Sequence, residues 1–260
     1  MLECVDLSTG YPGHPVSEGL CLSVHPGEIL TLIGPNGSGK TTLLKTMAGL
    51  LPPLGGVVRL EGRPLTEFSP RQLAQRRAYL PQYREVPELT VEALIKHGRF
   101  PHQGFSRQMT EKDRDRVSRA MALTGITDLR HRPLATLSGG QRQQAYLAMT
   151  IAQDTPLLFW DELTTYLDVK HRLEMLDLAQ RLRDDGRTVV MILHELDDAL
   201  RCSDRICLLD DAGRIRSLAP PEEVFRSGEI DRVFGVQTCR MAAPDGTYVY
   251  VFSRNDDKNK

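Results

Sequence analysis

No stretch of the sequence reaches the roughly 18 consecutive apolar residues that read as a membrane-spanning helix, so the chain is not expected to cross a bilayer. Its first residues, Met1-Leu2-Glu3-Cys4-Val5-Asp6, carry neither a basic segment nor an apolar run, and no secretory leader is expected. Cysteine is scarce: Cys4, Cys21, Cys202, Cys207 and Cys239 form no C-x-x-C pair, and five is an odd number. That argues against a disulfide framework and suits a reducing compartment. Neither sign of charge is in excess, since 33 Lys and Arg stand against 34 Asp and Glu for a net charge of −1. Non-specific nucleic-acid binding through a generally basic surface is therefore not expected as the main role. Internal repeats and low-complexity tracts are also missing. These absences point to a soluble, cytoplasmic protein.

The chain holds 260 residues, 40 % of them hydrophobic, enough for one large domain or a core with a subdomain. The compact run Glu28-Ile29-Leu30-Thr31-Leu32-Ile33 predicts a buried strand. A glycine-rich loop follows, and Thr41 to Leu51 predicts a helix stopped by Pro52-Pro53 and Gly55-Gly56. Val57 to Arg63 predicts a strand leading to a turn. From Val91 to Ile151 the pattern is mostly helical, punctuated by Pro101, Gly104, Gly125 and Pro133. Leu157-Leu158-Phe159-Trp160 and the run Thr188 to Leu193 predict two more buried strands, separated by an amphipathic helix from His171 to Arg183. Ile206 to Asp210 and Gly213 to Ile215 predict a closing hairpin, and the polar run 255–260 a frayed end. Strands separated by helices favour an α/β core with a parallel sheet, the helical block standing as an inserted subdomain.

Gly34-Pro35-Asn36-Gly37-Ser38-Gly39-Lys40-Thr41 satisfies G-x-x-x-x-G-K-[ST], with a strand before it and a helix after it. Small residues let backbone N–H groups turn inward around phosphate oxygens, and the helix N-terminus adds partial positive charge. Lys40 is placed to reach the β- and γ-phosphates of a nucleotide, and the Thr41 hydroxyl to hold Mg²⁺. The second buried strand ends in Asp161-Glu162. There Asp161 would bind the metal, and Glu162 would polarise the attacking water as general base.

Leu137-Ser138-Gly139-Gly140-Gln141 then identifies the family, because LSGGQ ahead of such an acidic pair is the signature of ABC (ATP-binding cassette) ATPases. Ser138 also predicts the N-cap of a helix, and that helix N-terminus would point at the γ-phosphate of a partner's ATP. The resemblance covers nearly the whole chain. It implies a P-loop NTPase (RecA-like) α/β core with an antiparallel β subdomain and an inserted α-helical subdomain. The core with its β subdomain would take 1–82 and 154–225, the helical subdomain 83–153, and a C-terminal extension 226–260. It implies ATP and Mg²⁺ as ligands, with Gly34, Asn36, Gly37, Ser38, Gly39, Lys40, Thr41 and Thr42 around the phosphates and Ser138, Gly139, Gly140 and Gln141 offered to a second subunit's nucleotide. Tyr11 matches the aromatic that stacks on adenine. Gln82, in Tyr79-Leu80-Pro81-Gln82, matches the Q-loop glutamine that senses Mg²⁺ and the lytic water. Asp168 matches the D-loop aspartate and His194 the switch histidine at the γ-phosphate. Three positions depart from the family pattern: Trp160 where a smaller aliphatic is usual, Leu163 where proline is usual, and Gln144 where arginine is common. A buried Trp160 needs volume and ideally an N–H partner.

One cassette with no membrane span resembles the separate ATPase subunit of a bacterial importer. Arg77-Ala78-Tyr79-Leu80-Pro81-Gln82, Gly98-Arg99-Phe100-Pro101-His102, Thr164-Thr165-Tyr166-Leu167-Asp168 and Val233-Phe234-Gly235-Val236 resemble the ATPases of ferric-siderophore, haem and cobalamin systems, the siderophore group most. The implied partners are a polytopic permease, a second ATPase subunit in a homodimer and, indirectly, a substrate-binding protein, with the ATPase on the cytoplasmic face of the inner membrane. A non-transport ABC ATPase acting on nucleic acid or ribosomes is the competing class, and the near-neutral charge counts against it. His97 and His102 are expected to face solvent and to ligate no metal. The apolar residues Tyr83, Val86, Leu89 and Phe100 are the expected permease contacts, with packing inside the helical subdomain as the alternative.

Overall fold

The computed structural model describes residues 1–82, 86–104, 108–162, 168–242 and 248–254. It divides into two compact units, one of residues 1–65 with 190–260 and one of residues 66–189.

The first unit opens with an antiparallel sheet. Strands β1 (Leu2–Tyr11) and β2 (His14–Val24) form a long hairpin, and β4 (Gly55–Leu60) pairs with the other edge of β1. The short β5 (Arg63–Pro64) completes the order β2-β1-β4-β5. This is the antiparallel β subdomain the family resemblance implies. Between β2 and β4 run β3 (Ile29–Ile33) and helix α1 (Lys40–Met47). All five residues of β3 are buried, the continuous apolar run of a strand covered on both faces. It pairs in parallel with β9 (Arg205–Leu209), which pairs antiparallel with β10 (Ile215–Ala219), the expected closing hairpin. Helix α1 ends earlier than its sequence suggests, because Gly49 (φ 68°) turns the chain after Met47.

The second unit begins with α2 (Pro70–Ala74) and β6 (Arg77–Leu80). Helices α3 (Val91–His97), α4 (Glu111–Leu123) and α5 (Gly139–Ala152) then pack on one another, as the inserted helical block requires. Strand β7 (Leu157–Trp160) is buried throughout and pairs in parallel with β6. Helix α6 (Val169–Asp184) follows, and the division between the units falls inside the wholly buried β8 (Thr188–Ile192). Each helix of the block starts on a side-chain cap: Thr90 for α3, Thr110 for α4 and Ser138 for α5.

The C-terminal part of the first unit adds α7 (Leu196–Cys202), α8 (Pro221–Ser227), α9 (Glu229–Phe234) and a hairpin of β11 (Val236–Ala242) and β12 (Tyr248–Arg254). Asp197 of α7 accepts the Tyr250 N–H at 3.0 Å, and the Tyr250 ring meets Phe225 edge-on, so the hairpin is fastened to its own unit. Among the described residues no helix is long and apolar enough to cross a membrane.

One buried ion pair organises the helical block. Arg99 is 4 % exposed; its Nε donates to Asp113 at 2.9 Å, and its guanidinium reaches the Ala152 carbonyl at 2.8 Å. Asp113 also accepts the Thr110 N–H and hydroxyl, so one carboxylate caps α4 and ties it to the turn after α3. Burial works to raise the Asp113 carboxyl, but the Thr110 hydrogen bonds and the Arg99 charge outweigh it and hold its pKa at about 2, below an ordinary 3.8. A carboxyl depressed by folding stabilises the fold above its unfolded pKa and loses that contribution as pH falls. Arg99→Ala is therefore expected to cost about 3–5 kcal/mol in urea unfolding at neutral pH. The deficit should shrink as pH drops from 3.8 towards about 2. A loss below about 1 kcal/mol would mean that the pair is not structural.

Candidate functional site

In the first unit, β3 delivers the chain into the glycine loop. A β-carbon at Gly34 (φ 155°) would lie 2.6 Å from the Leu209 carbonyl oxygen, and one at Gly39 (φ 85°) 2.3 Å from Val16 Cγ1. The loop thus lies so close to β9 and β2 that only glycine fits at either point. The Ser38 N–H closes it onto the Pro35 carbonyl at 3.2 Å, and the Leu43 N–H reaches the Gly39 carbonyl at 2.8 Å as α1 begins. The first turn of α1 carries no acidic residue, which leaves the positive end of its dipole uncompensated. Lys40 is 6 % exposed, and its Nζ donates to the Gly34 and Pro35 carbonyls at 2.8 Å each. Ser38 is buried with no partner for its hydroxyl among the described residues, a donor for which a phosphate oxygen is a natural acceptor. Asn36 and Gly37 are exposed, and Thr41 and Thr42 half-buried.

Tyr11 ends β1 and pairs with His14 across the hairpin, with half of its surface exposed. Val16, a few residues along the same hairpin, is the side chain that backs Gly39. His194 is exposed in the segment between β8 and α7.

In the second unit the parallel pairing sets the geometry. Leu80 lies opposite Trp160, and the Asp161 N–H continues the ladder to the Leu80 carbonyl at 3.0 Å. The same register carries Gln82 to Glu162, whose carboxylate accepts the Gln82 side-chain amide. Two residues assigned separately from sequence are thus hydrogen-bonded. Glu162 takes a left-handed backbone (φ 53°), unusual for a side-chain-bearing residue and frequent at functional sites. Asp161 is 1 % exposed and accepts the Tyr79 hydroxyl at 2.7 Å. In the sequence Tyr79 stands out only as part of Tyr79-Leu80-Pro81-Gln82; its hydroxyl meets Asp161 through the pairing of β6 with β7.

Ser138 caps α5 as expected: its hydroxyl accepts the Gln141 N–H at 3.3 Å, and the Gln141 side chain accepts the Ser138 N–H at 3.1 Å. Gln141 is therefore committed to a capping box. Ser138 and Gly139 are exposed, and the first turn of α5 has no acidic side chain. Asp168 caps α6, and hydrogen bonds from the His171 amide and ring hold its carboxyl below the usual range. Leu163, Thr164, Thr165, Tyr166, Leu167 and Tyr83 lie outside the described residues, as does the 255–260 run.

Two expectations need correction. Trp160 has its volume, with no exposed surface, but its indole N–H finds no acceptor among the described residues. His97 faces solvent, whereas His102 is half-buried; its Nε2 lies 2.8 Å from the Gln153 carbonyl oxygen, and burial and then the Arg99 charge lower its pKa. The thiols of Cys4, Cys202 and Cys207 are buried and pushed up to about 12, so they are protonated packing groups. Among the described residues no three His, Cys, Asp or Glu side chains converge as a metal cluster.

A family model described as ABC transporter matches residues 17–165, the stretch that runs from the loop's backing strand through the acidic pair. The chain is 44 % identical over 204 residues to the iron(3+)-hydroxamate import ATP-binding protein FhuC of Bacillus subtilis (strain 168), covering 78 % of this chain and 76 % of that protein. It is 37 % identical over 233 residues to the ferric enterobactin transport ATP-binding protein FepC of Escherichia coli (strain K12), covering 89 % and 86 %. Its fold matches a metal-chelate-type ABC transporter solved in an inward-facing conformation, with a TM-score of 0.84, 23 % identity and 98 % of both chains covered. A family match over more than half of the chain and relatives this similar over most of both lengths place it: the chain belongs to the ABC transporter family, as an ATP-binding, ATP-hydrolysing subunit.

Proposed function

We propose that this chain powers the import of a ferric siderophore through a polytopic permease, working as a pair of identical subunits on the cytoplasmic face of the inner membrane. The observation that carries this reading is its similarity, over three quarters or more of both chains, to ATP-binding subunits named for ferric enterobactin and iron(3+)-hydroxamate.

In this reading residues 34–42 cradle the phosphates, with Lys40 neutralising β/γ charge and Tyr11 stacked on adenine. Thr41, Gln82 and Asp161 would hold Mg²⁺, a sparse, all-oxygen donor set of the kind that cation takes beside phosphates. Mg²⁺ supplies neutralisation of the charge that develops between the β- and γ-phosphates. Glu162 takes a proton from the attacking water as the water oxygen bonds to the γ-phosphorus and the bond to ADP breaks. His194 contacts the γ-phosphate. Ser138 to Gln141 serve the nucleotide of the other copy, a reading that the exposure of Ser138 and Gly139 at a helix N-terminus supports.

The Gln82–Glu162 hydrogen bond gives the permease a route to the chemistry. The amide N–H engages one oxygen of the carboxylate and orients it, while the remaining lone pairs can still accept a proton. Val86 and Phe100, 44 % and 55 % exposed, follow Gln82 in the chain and offer apolar surface for a permease helix; Leu89 is half-buried. Movement at Gln82 would then couple the permease to hydrolysis. Deletion of the gene should abolish growth on a ferric siderophore as sole iron source and spare growth on haem and cobalamin uptake. Unimpaired uptake of the siderophore would remove the cargo assignment.

A further inference from the structure

We infer that Tyr79 is a positioning residue for the metal site: its phenol fixes the rotation of the Asp161 carboxylate, so that the cation meets a ligand already oriented. The inference rests on the reading of Asp161 as the Mg²⁺ ligand.

Tyr79 stands on β6, where Ala78 and Leu80 turn into the core and Arg77 and Tyr79 take the other face. The parallel register sets Tyr79 opposite Phe159 and Leu80 opposite Trp160, which brings the phenol within reach of the residue just past the end of β7. There the hydroxyl donates 2.7 Å to Asp161 Oδ2. Asp161 is 1 % exposed, so water contributes little to orienting its carboxylate, and a charge-assisted hydrogen bond in such a place is strong and directional.

Three residues on, Gln82 makes the equivalent contact with Glu162. The segment Tyr79-Leu80-Pro81-Gln82 therefore grips both members of the acidic pair, one side chain to each. Partners that orient a metal's carboxylate typically change its metal affinity 10–100-fold when removed. The phenol has this relation to Asp161, and the main chain supports it, since the Asp161 N–H is itself held by the Leu80 carbonyl. With both the backbone and one oxygen of the carboxylate held from β6, the side chain keeps a single rotamer.

The test is Mn²⁺ binding to the purified full chain, followed by electron paramagnetic resonance in the presence of saturating ATPγS. Tyr79→Phe keeps the ring and removes only the donor. It should raise the Mn²⁺ concentration for half-saturation by about 10-fold or more, while ATP affinity in EDTA stays at its wild-type value; the urea midpoint should fall, because a buried carboxylate loses a donor. Asp161→Asn is the control and should weaken Mn²⁺ at least as much. If Asp161→Asn weakens Mn²⁺ binding and Tyr79→Phe leaves it within twofold of wild type, the positioning role is overturned. If Asp161→Asn itself leaves Mn²⁺ affinity unchanged, the assignment of Asp161 as ligand fails, and the role of Tyr79 fails with it. A fall in metal-free ATP affinity equal to the fall in Mn²⁺ affinity would show a general structural effect and also overturn it.

Discussion

Glu162→Gln is expected to lower ATP turnover by about 10²–10⁴-fold, the range a general base contributes, and to leave ATP binding near the wild-type level. The substitution is close to isosteric, and the new carbonyl oxygen can still accept the Gln82 amide that the carboxylate accepts now. The left-handed backbone at position 162 makes the same demand on Gln as on Glu, so the strand end keeps its shape. What is lost is the basic lone pair that takes the water's proton. Steady-state phosphate release and equilibrium ATP binding measure the two quantities separately. Wild-type turnover in Glu162→Gln would show that another group is the base.

Lys40→Ala should act earlier, on binding. Lys40 is almost wholly buried, and its ammonium lies against the Gly34 and Pro35 carbonyls of the phosphate loop. A charged hydrogen bond of this kind is worth about 1.5–3 kcal/mol, which corresponds to a loss of about 10–100-fold in ATP affinity. Hydrolysis should fall below detection, because the charge on the leaving phosphates loses its counter-charge. Removing the ammonium also takes a donor from two loop carbonyls, so the loop should loosen as well. A urea midpoint measured beside the affinity separates the two effects. Equal ATP affinity in Lys40→Ala and wild type would rule out the phosphate-loop assignment.

The parts legible in the sequence were those governed by local rules. The phosphate loop, the buried runs of β3, β7 and β8 and the N-cap at Ser138 each follow from a few adjacent residues, and the structure has them. What could not be read depends on pairing between distant segments. The meeting of Gln82 with Glu162, and of Tyr79 with Asp161, follows from the register between β6 and β7, and no local pattern encodes that register. Arg99 belongs to the Gly98–His102 run in the sequence, and nothing local shows that it is buried; that follows from α4, which supplies Asp113 to receive it. The orphan indole of Trp160 was invisible for the opposite reason: a sequence shows that a side chain is large and apolar, but not whether its one polar atom meets a partner. The hairpin of β11 and β12 has no local sequence signal beyond a C-terminal extension. Its strands bury little of their own surface and take their place from contacts to α7, α8 and α9.

ATP hydrolysis split between two copies is the central claim, because it gives the phosphate loop, the acidic pair and the exposed Ser138 helix one joint purpose. The most direct measurement is the mass in solution of Glu162→Gln with and without saturating ATP, by sedimentation or light scattering. The expected result is a single chain without nucleotide and a stable dimer with ATP, reverting to the single chain when Ser138→Arg is added to the same variant. A Glu162→Gln protein that binds ATP and stays a single chain at saturation, or one that dimerises equally well with Ser138→Arg, would contradict it.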